Sequence, residues 1–164
     1  MPGPTRSVEE HQRVVAGLIT ARPQTRLPLA EAHGLVLAED VVAPLSLPVF
    51  DNSAMDGYAV RAAELSAARP EAPIRLPVAE DIPAGRTDVL RLAPGTAHRI
   101  MTGALVPIGA DAIVPVEHTD AGSAVVAVFT APRTGRHIRV AGEDVAAGTV
   151  VLRSGTMLTP AALG

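Results

Sequence analysis

From Gly34 to the end of the chain, short β-prone runs alternate with glycine and proline. This punctuation limits the fold more than any other feature, because Gly and Pro end elements and the runs between them are strand-length. "LVLAEDVVAP" (35–44), "IRLPVAEDI" (74–82), "DAIVPVEHTD" (111–120), "SAVVAVFTAP" (123–132), "HIRVAGEDV" (137–145) and "GTVVLRSGTML" (148–158) read as strands. The stretch "VEHTDAGSAVVAVF" reads as a hairpin with Asp120 to Ser123 as its loop. "ELSAA" (64–68) and "PGTAHRI" (94–100) are each expected to hold a helical turn or two.

The start of the chain differs. Residues 1–6 are expected to be a loose tail. Ser7 and Glu10 form a capping-box pattern, and Val8, Val15, Leu18 and Ile19 recur at helical spacing, which predicts an amphipathic helix to about Ala21. "LPLAEAHG" (27–34) predicts a short helix with Pro28 in its first turn and Gly34 as a left-handed stop. Thr159-Pro160 predicts another helix start, four residues before the last residue, Gly164, so a longer protein is expected. The fold class expected is α+β, mostly β, with a helical start.

Composition excludes several functions. The 164 residues are 48% hydrophobic and 19% charged, enough for one core or two small units sharing one. Only 2% are aromatic, so the core must be aliphatic. The net charge is −3, and every one of the fourteen basic residues is a scattered Arg, which is not the footprint of a nucleic-acid binder. Without Cys there is no disulfide framework, thiolate zinc site or thiol nucleophile. No signal peptide or membrane-length apolar run is visible, so a cytoplasmic protein is expected. The five His residues show no metal-ligand spacing, and each is expected to lie at the surface or to be satisfied by a partner.

Three segments carry polar chemistry. "PVFDNSAMDGYAV" (48–60) holds two turn-prone clusters within seven residues. Asp51, Asn52 and Ser53 resemble an Asx-type opening, while Asp56-Gly57 is a pair common where the backbone needs a positive φ. Tyr58 then enters what reads as a half-buried strand. In "HRIMTGALVPIGAD", the Thr102 hydroxyl beside Gly103 suits an oxyanion contact. In "GRHIRVAGEDV", Arg136, His137 and Arg139 precede Glu143 and Asp144, and an Arg fork matches phosphate- or molybdate-like oxyanions. Taken singly, each segment also reads as a turn or an edge strand.

"PLSLPVFDNSAMDGYAVR", "RIMTGALVPIGADAIVPVE" and "IRVAGEDVAAGTVVLRSGTMLTPAALG" resemble, in that order, the N-terminal half of the molybdopterin molybdenumtransferases, the MoeA family, which includes the E domain of gephyrin. The resemblance covers roughly residues 7–164. It implies an elongated N-terminal body of residues 1–44 and 141–164, an inserted mixed β domain of residues 45–140, and a pterin-binding α/β domain absent from this sequence. It implies insertion of molybdate into adenylylated molybdopterin with release of AMP, in a homodimer whose cleft is composite, so that the segment alone would be inactive. A protein that adenylylates molybdopterin is the partner protein implied.

By motif, the family's functional residues fall on Asp56, Thr102 and Asp144 as catalytic groups. Asp51, Asn52, Ser53, Gly103 and Arg139 fall on substrate-binding positions. Asp56 and Asp144 are expected either to hold a divalent cation, Mg2+, or to shuttle protons. Two other readings compete: a scaffold module of the gephyrin type, which needs an exposed apolar groove for a partner peptide, and a generic phosphate-binding β domain.

Overall fold

The computed structural model describes residues 6–20 and 22–164. They fall into two compact units, one comprising the described residues up to 41 with 152–164, the other 42–151. The chain passes between the units within two short strands, β1 (Val41–Val42) and β9 (Val150–Leu152).

In the first unit, α1 spans Val8–Gly17 and opens with the reciprocal Ser7–Glu10 box, both bonds of which are present. It ends four residues short of the expected stop. Gly17 is the costliest ordinary residue for a helix interior, and Leu18 and Ile19 close onto Val15 and Ala16 by short-range bonds outside the helix. Ala21 and the tail residues 1–5 lie outside the described residues. Leu29–Glu31 forms one 3-10 turn after Pro28, and Gly34 takes φ +78° as the stop. The continuous strand expected over 35–44 is reduced to an isolated Val36–Met157 bridge and β1. Thr159 caps α2 (Pro160–Leu163) through its hydroxyl, which accepts from the Ala162 N–H. Among the described residues of this unit none is buried.

The second unit holds a five-stranded mixed sheet in the order β6-β3-β5-β4-β7. Its strands are β3 (Gly57–Val60), β4 (Ile74–Ile82), β5 (Ala97–Ile100), β6 (Ala112–Pro115) and β7 (Val125–Val128). Only β4 and β5 run parallel, with a register shift between Val78 and Glu80. The expected strand over 74–82 is present end to end. The expected hairpin is present too. Thr119 bridges Val128, and the Asp120 carboxylate accepts from the Gly122 and Ala127 N–H groups to hold its loop. This pairing follows the 3-10 turn Val116–His118 that leaves β6, so the last strand meets the chain emerging from the first and the sheet curls.

"PGTAHRI" is not helical. Its Ala97–Ile100 portion is the central strand β5, paired on both sides, and Ala97, His98 and Ile100 are buried. Local propensity is a weak prior, and two neighbouring strands override it here. β3 is fully rather than half buried, because both faces of the sheet are covered. Tyr58 and Val60 join a cluster with Leu65, Leu76, Val114, Val126 and Val128, while Ala59 joins Ile82, Ile100, Ala104 and Ile113 on the other side. The Tyr58 hydroxyl donates to the Gly122 carbonyl at 3.0 Å, which satisfies the one polar atom of this buried ring. Leu65 reaches the core from a 3-10 turn, Ala62–Leu65, where a helical turn was expected.

His98 is neither at the surface nor satisfied. It is 2% exposed, and its Nδ1 has no partner among the described residues. Burial holds its ring below the usual histidine pKa, with Glu80 acting in the opposite direction.

Candidate functional site

The segment around Asp51 builds a crossing point of the second unit. Asn52–Ser53 is a two-residue strand, β2, rather than an Asx turn. It pairs with β8 (Ile138–Arg139), with Asn52 opposite Arg139 and Ser53 opposite Ile138. Its backbone also engages the chain around Gly103: Ser53 N donates to Ala104 O at 3.0 Å, and Gly103 N donates to Ser53 O at 2.8 Å. Asn52 is therefore also bridged to Leu105. The middle segment thus joins the other two, and both Asn52 and Ser53 are buried doing so.

The side chains of this segment are spent on the backbone. The Asp51 carboxylate accepts from Ala141 N at 2.7 Å, ninety positions along the chain. Asn52 Nδ2 donates to Phe50 O, and Ser53 Oγ donates to Met55 O at 2.6 Å. Residues 141–149 are hydrogen-bonded to 43–51 through Gly142 to Pro48, Asp144 and Val145 to Leu47, and Thr149 O to Ala43. Residues 141–149 accordingly belong to the same compact unit as 43–51.

Asp56 follows. Its Oδ1 accepts from both the N–H and the hydroxyl of Thr102, each at 2.7 Å. The amide first and the hydroxyl second hold its carboxyl below the usual range, with a smaller contribution from Arg99. Both residues are exposed. The Asp56 carbonyl accepts from Val116 N at 3.0 Å, which fastens it to the end of β6.

Gly57 has no positive φ, contrary to the expectation for an Asp-Gly pair. Its reason is space. A Cβ there would lie 2.0 Å from the Val114 carbonyl oxygen. Gly103 has the left-handed backbone instead, at φ +81°, with open space where a Cβ would be.

The third segment forms a separate knot. Arg139 donates from Nε to Glu143 at 2.9 Å and from its terminal nitrogen to Asp144 at 2.5 Å. Glu143 also accepts from Val140 N at 3.0 Å. The guanidinium holds the Glu143 carboxyl below its usual range, and the two acids raise the Arg139 pKa in return. One guanidinium faces two carboxylates, so the knot carries a net negative charge. Arg139 therefore offers no unanswered positive charge to an oxyanion. Glu143, not among the expected site residues, meets the Arg139 Nε across the turn that follows β8.

The structure joins Asp56 to Thr102 and Arg139 to Asp144, and connects the two pairs through β2. Among the described residues, no three His, Asp or Glu side chains come together as a metal site. Asp144 is occupied by Arg139, and Asp56 spends one oxygen on two protein donors. These residues do not by themselves fit a resident divalent cation such as Mg2+.

The chain matches the family described as the MoeA N-terminal region (domain I and II) over residues 6–164. It is 65% identical over 159 residues to molybdopterin molybdenumtransferase 2 of Mycobacterium tuberculosis, covering 97% of this chain and 39% of that protein. The molybdopterin molybdenumtransferase of Synechococcus elongatus is 45% identical over 139 residues, or 84% of this chain and 34% of the relative. A crystal structure of a molybdopterin biosynthesis MoeA protein from Pyrococcus horikoshii OT3 superimposes with TM-score 0.78 at 41% identity, covering 84% of this chain and 36% of that one. The chain thus spans about two fifths of the length of the curated relative it matches at 65% identity. On the family match and the fold it shares with that structure, the chain belongs to the MoeA N-terminal region family.

Proposed function

We propose that this chain is the N-terminal portion of an enzyme that inserts molybdate into adenylylated molybdopterin, releasing AMP, and that it contributes part of a composite cleft in a cytoplasmic homodimer. The relatives carry the name molybdopterin molybdenumtransferase, which supports a role in making molybdenum cofactor. In this reading residues 42–151 correspond to the inserted domain and the remainder to the body.

The observation that carries the reading is the Asp56–Thr102 pair. Thr102 holds an exposed carboxylate ionised and leaves its second oxygen free of protein donors among the described residues. A carboxylate whose pKa is pressed down is a poor proton acceptor at neutral pH, because general bases work best near the operating pH. Proton shuttling therefore suits Asp56 no better than holding a resident cation does. The geometry suits a fixed negative charge that accepts a hydrogen bond from a substrate N–H or O–H and orients it. A pterin or adenine ring supplies such donors.

The Arg139–Glu143–Asp144 knot positions rather than binds in this reading. Its bonds tie β8 to the turn that follows it, and the backbone of β8 pairs with β2, the segment that leads to Asp56.

The test is Asp56→Asn in the full-length protein. The amide keeps an acceptor oxygen for Thr102 but loses the charge. Molybdenum transfer is expected to fall about a hundredfold or more, with the melting temperature nearly unchanged because Asp56 is exposed. Parental turnover in this variant would remove Asp56 from the mechanism.

A further inference from the structure

Arg139 is neutralised by its acids, so the positive charge that would meet an oxyanion has to come from elsewhere. Arg133 and Arg136 take part in no ion pair among the described residues. Both line a cavity of about 320 Å3 together with His118, His137 and Thr130. Among the described residues, no carboxylate lines it. Its floor is apolar backbone and side chain of β6.

The two arginines are held at the ends of one turn. Arg136 N donates to Arg133 O at 3.0 Å, Ile113 N donates to Arg136 O at 3.0 Å, and Gly135 N donates to Asp111 O at 2.7 Å. The turn is thus pinned along the edge strand β6. His137 adds a second, independent sign. It has φ +60°, a left-handed conformation uncommon for a residue with a side chain, and strained positions of this kind gather at ligand sites. Its carbonyl is committed to Ala54 N at 2.9 Å, which keeps the backbone in place while the ring lines the cavity.

We propose that the cavity bounded by Arg133, Arg136, His118 and His137 is a binding site for a tetrahedral dianion, a phosphate group or a molybdate-type oxyanion. Two guanidinium forks and a hydroxyl match the geometry of such a group, and the absence of a competing carboxylate leaves their charge available. The volume, about 320 Å3, is at the small end of ligand pockets and admits a bare oxyanion or a phosphate ester. Burial, and after it the charges of Arg136 and His118, hold the His137 ring below the usual histidine pKa. An anion seated among them would relieve that repulsion. The site backs the candidate catalytic segment. Pro115, on its wall, is the register partner of Gly57, and His137 anchors Ala54, so the cavity flanks Asp56 along the chain on both sides.

This proposal concerns a different set of residues from the Asp56–Thr102 pair and stands if that pair has another role. Its test is proton NMR of the histidine rings during separate titrations with inorganic phosphate, molybdate and AMP at constant ionic strength. The His118 and His137 signals, assigned with His→Asn variants, are expected to shift saturably. The Arg133→Gln/Arg136→Gln variant is expected to weaken binding by about tenfold or more, and Arg153→Gln is expected to leave it unchanged. If the double variant does not fold, Arg133→Gln alone is read in the same way. Tighter binding of AMP than of phosphate would assign the site to a phosphate ester. Tighter binding of molybdate would assign it to the metal oxyanion, and either result supports the proposal. Shifts that rise linearly with any salt, or that are equal in the parent and the Arg→Gln variants, would overturn it.

Discussion

Gly57→Ala places a methyl group where β3 and β6 come closest. The new Cβ would sit 2.0 Å from the Val114 carbonyl oxygen and 2.9 Å from Pro115 Cα. Carbon and carbonyl oxygen normally meet at roughly 3.3 Å, so the strands must part by about 1 Å. The obstructing atoms are backbone, and β6 is tied on its outer side to the turn at Arg136, so neither partner can swing away. The Val116 N to Asp56 O bond, now 3.0 Å, would stretch beyond hydrogen-bonding range. Loss of that bond leaves a donor and an acceptor unsatisfied, at about 1–3 kcal/mol each, a penalty of about 2–6 kcal/mol. For a unit of this size, 1 kcal/mol moves the melting temperature by about 4 °C, so a fall of about 8–24 °C is expected. Gly103→Ala is the control. It meets open space and carries only the left-handed backbone penalty of about 1–2 kcal/mol. Calorimetric melting of both variants decides the matter. A Gly57→Ala protein melting within about 3 °C of the parent, or a larger loss for Gly103→Ala, would refute close strand approach as the reason for glycine at 57.

Thr102→Val removes the hydroxyl donor to Asp56 and keeps the amide, which is the larger cause of the lowered pKa. The Asp56 carboxyl is expected to titrate higher than in the parent yet still below an unperturbed aspartate, as read by carboxyl carbon NMR. An unchanged titration would mean that the hydroxyl bond is not made. His98 gives a pH effect with a definite sign. Its folded pKa is depressed, so the unfolded chain takes up the proton first as pH falls. Stability should therefore decline from about pH 6.5 downward until the folded-state pKa is passed. His98→Asn should flatten that slope in urea unfolding, and an equal slope in parent and variant would show that the buried ring is not responsible.

The features that a reader of the sequence could place are those decided within a few residues. The Ser7–Glu10 box, the Gly34 stop, the Thr159 cap, the Asp120 hairpin loop and the full length of β4 depend on neighbouring side chains and on alternation, and each is present as expected. The motif segments around Asp56, Thr102 and Arg139 also stood out, because clustered polar groups are conspicuous in so aliphatic a chain. Tertiary structure decided the rest. Ala97–Ile100 is a strand because β3 and β4 flank it, and nothing in "PGTAHRI" signals those neighbours. Gly57 is required by an oxygen 57 positions along the chain, at Val114, and not by its own φ. Asp51 turned out to hold Ala141, and Arg139 to be neutralised by Glu143 and Asp144, so charge that looks available in sequence is already committed in space. Arg133 and Arg136 drew no attention as a pair, yet one turn pinned to β6 brings them together with two histidines. A hydrogen bond or a carboxylate can cancel a charge only at contact distance, and contact between remote segments is set by the folded chain.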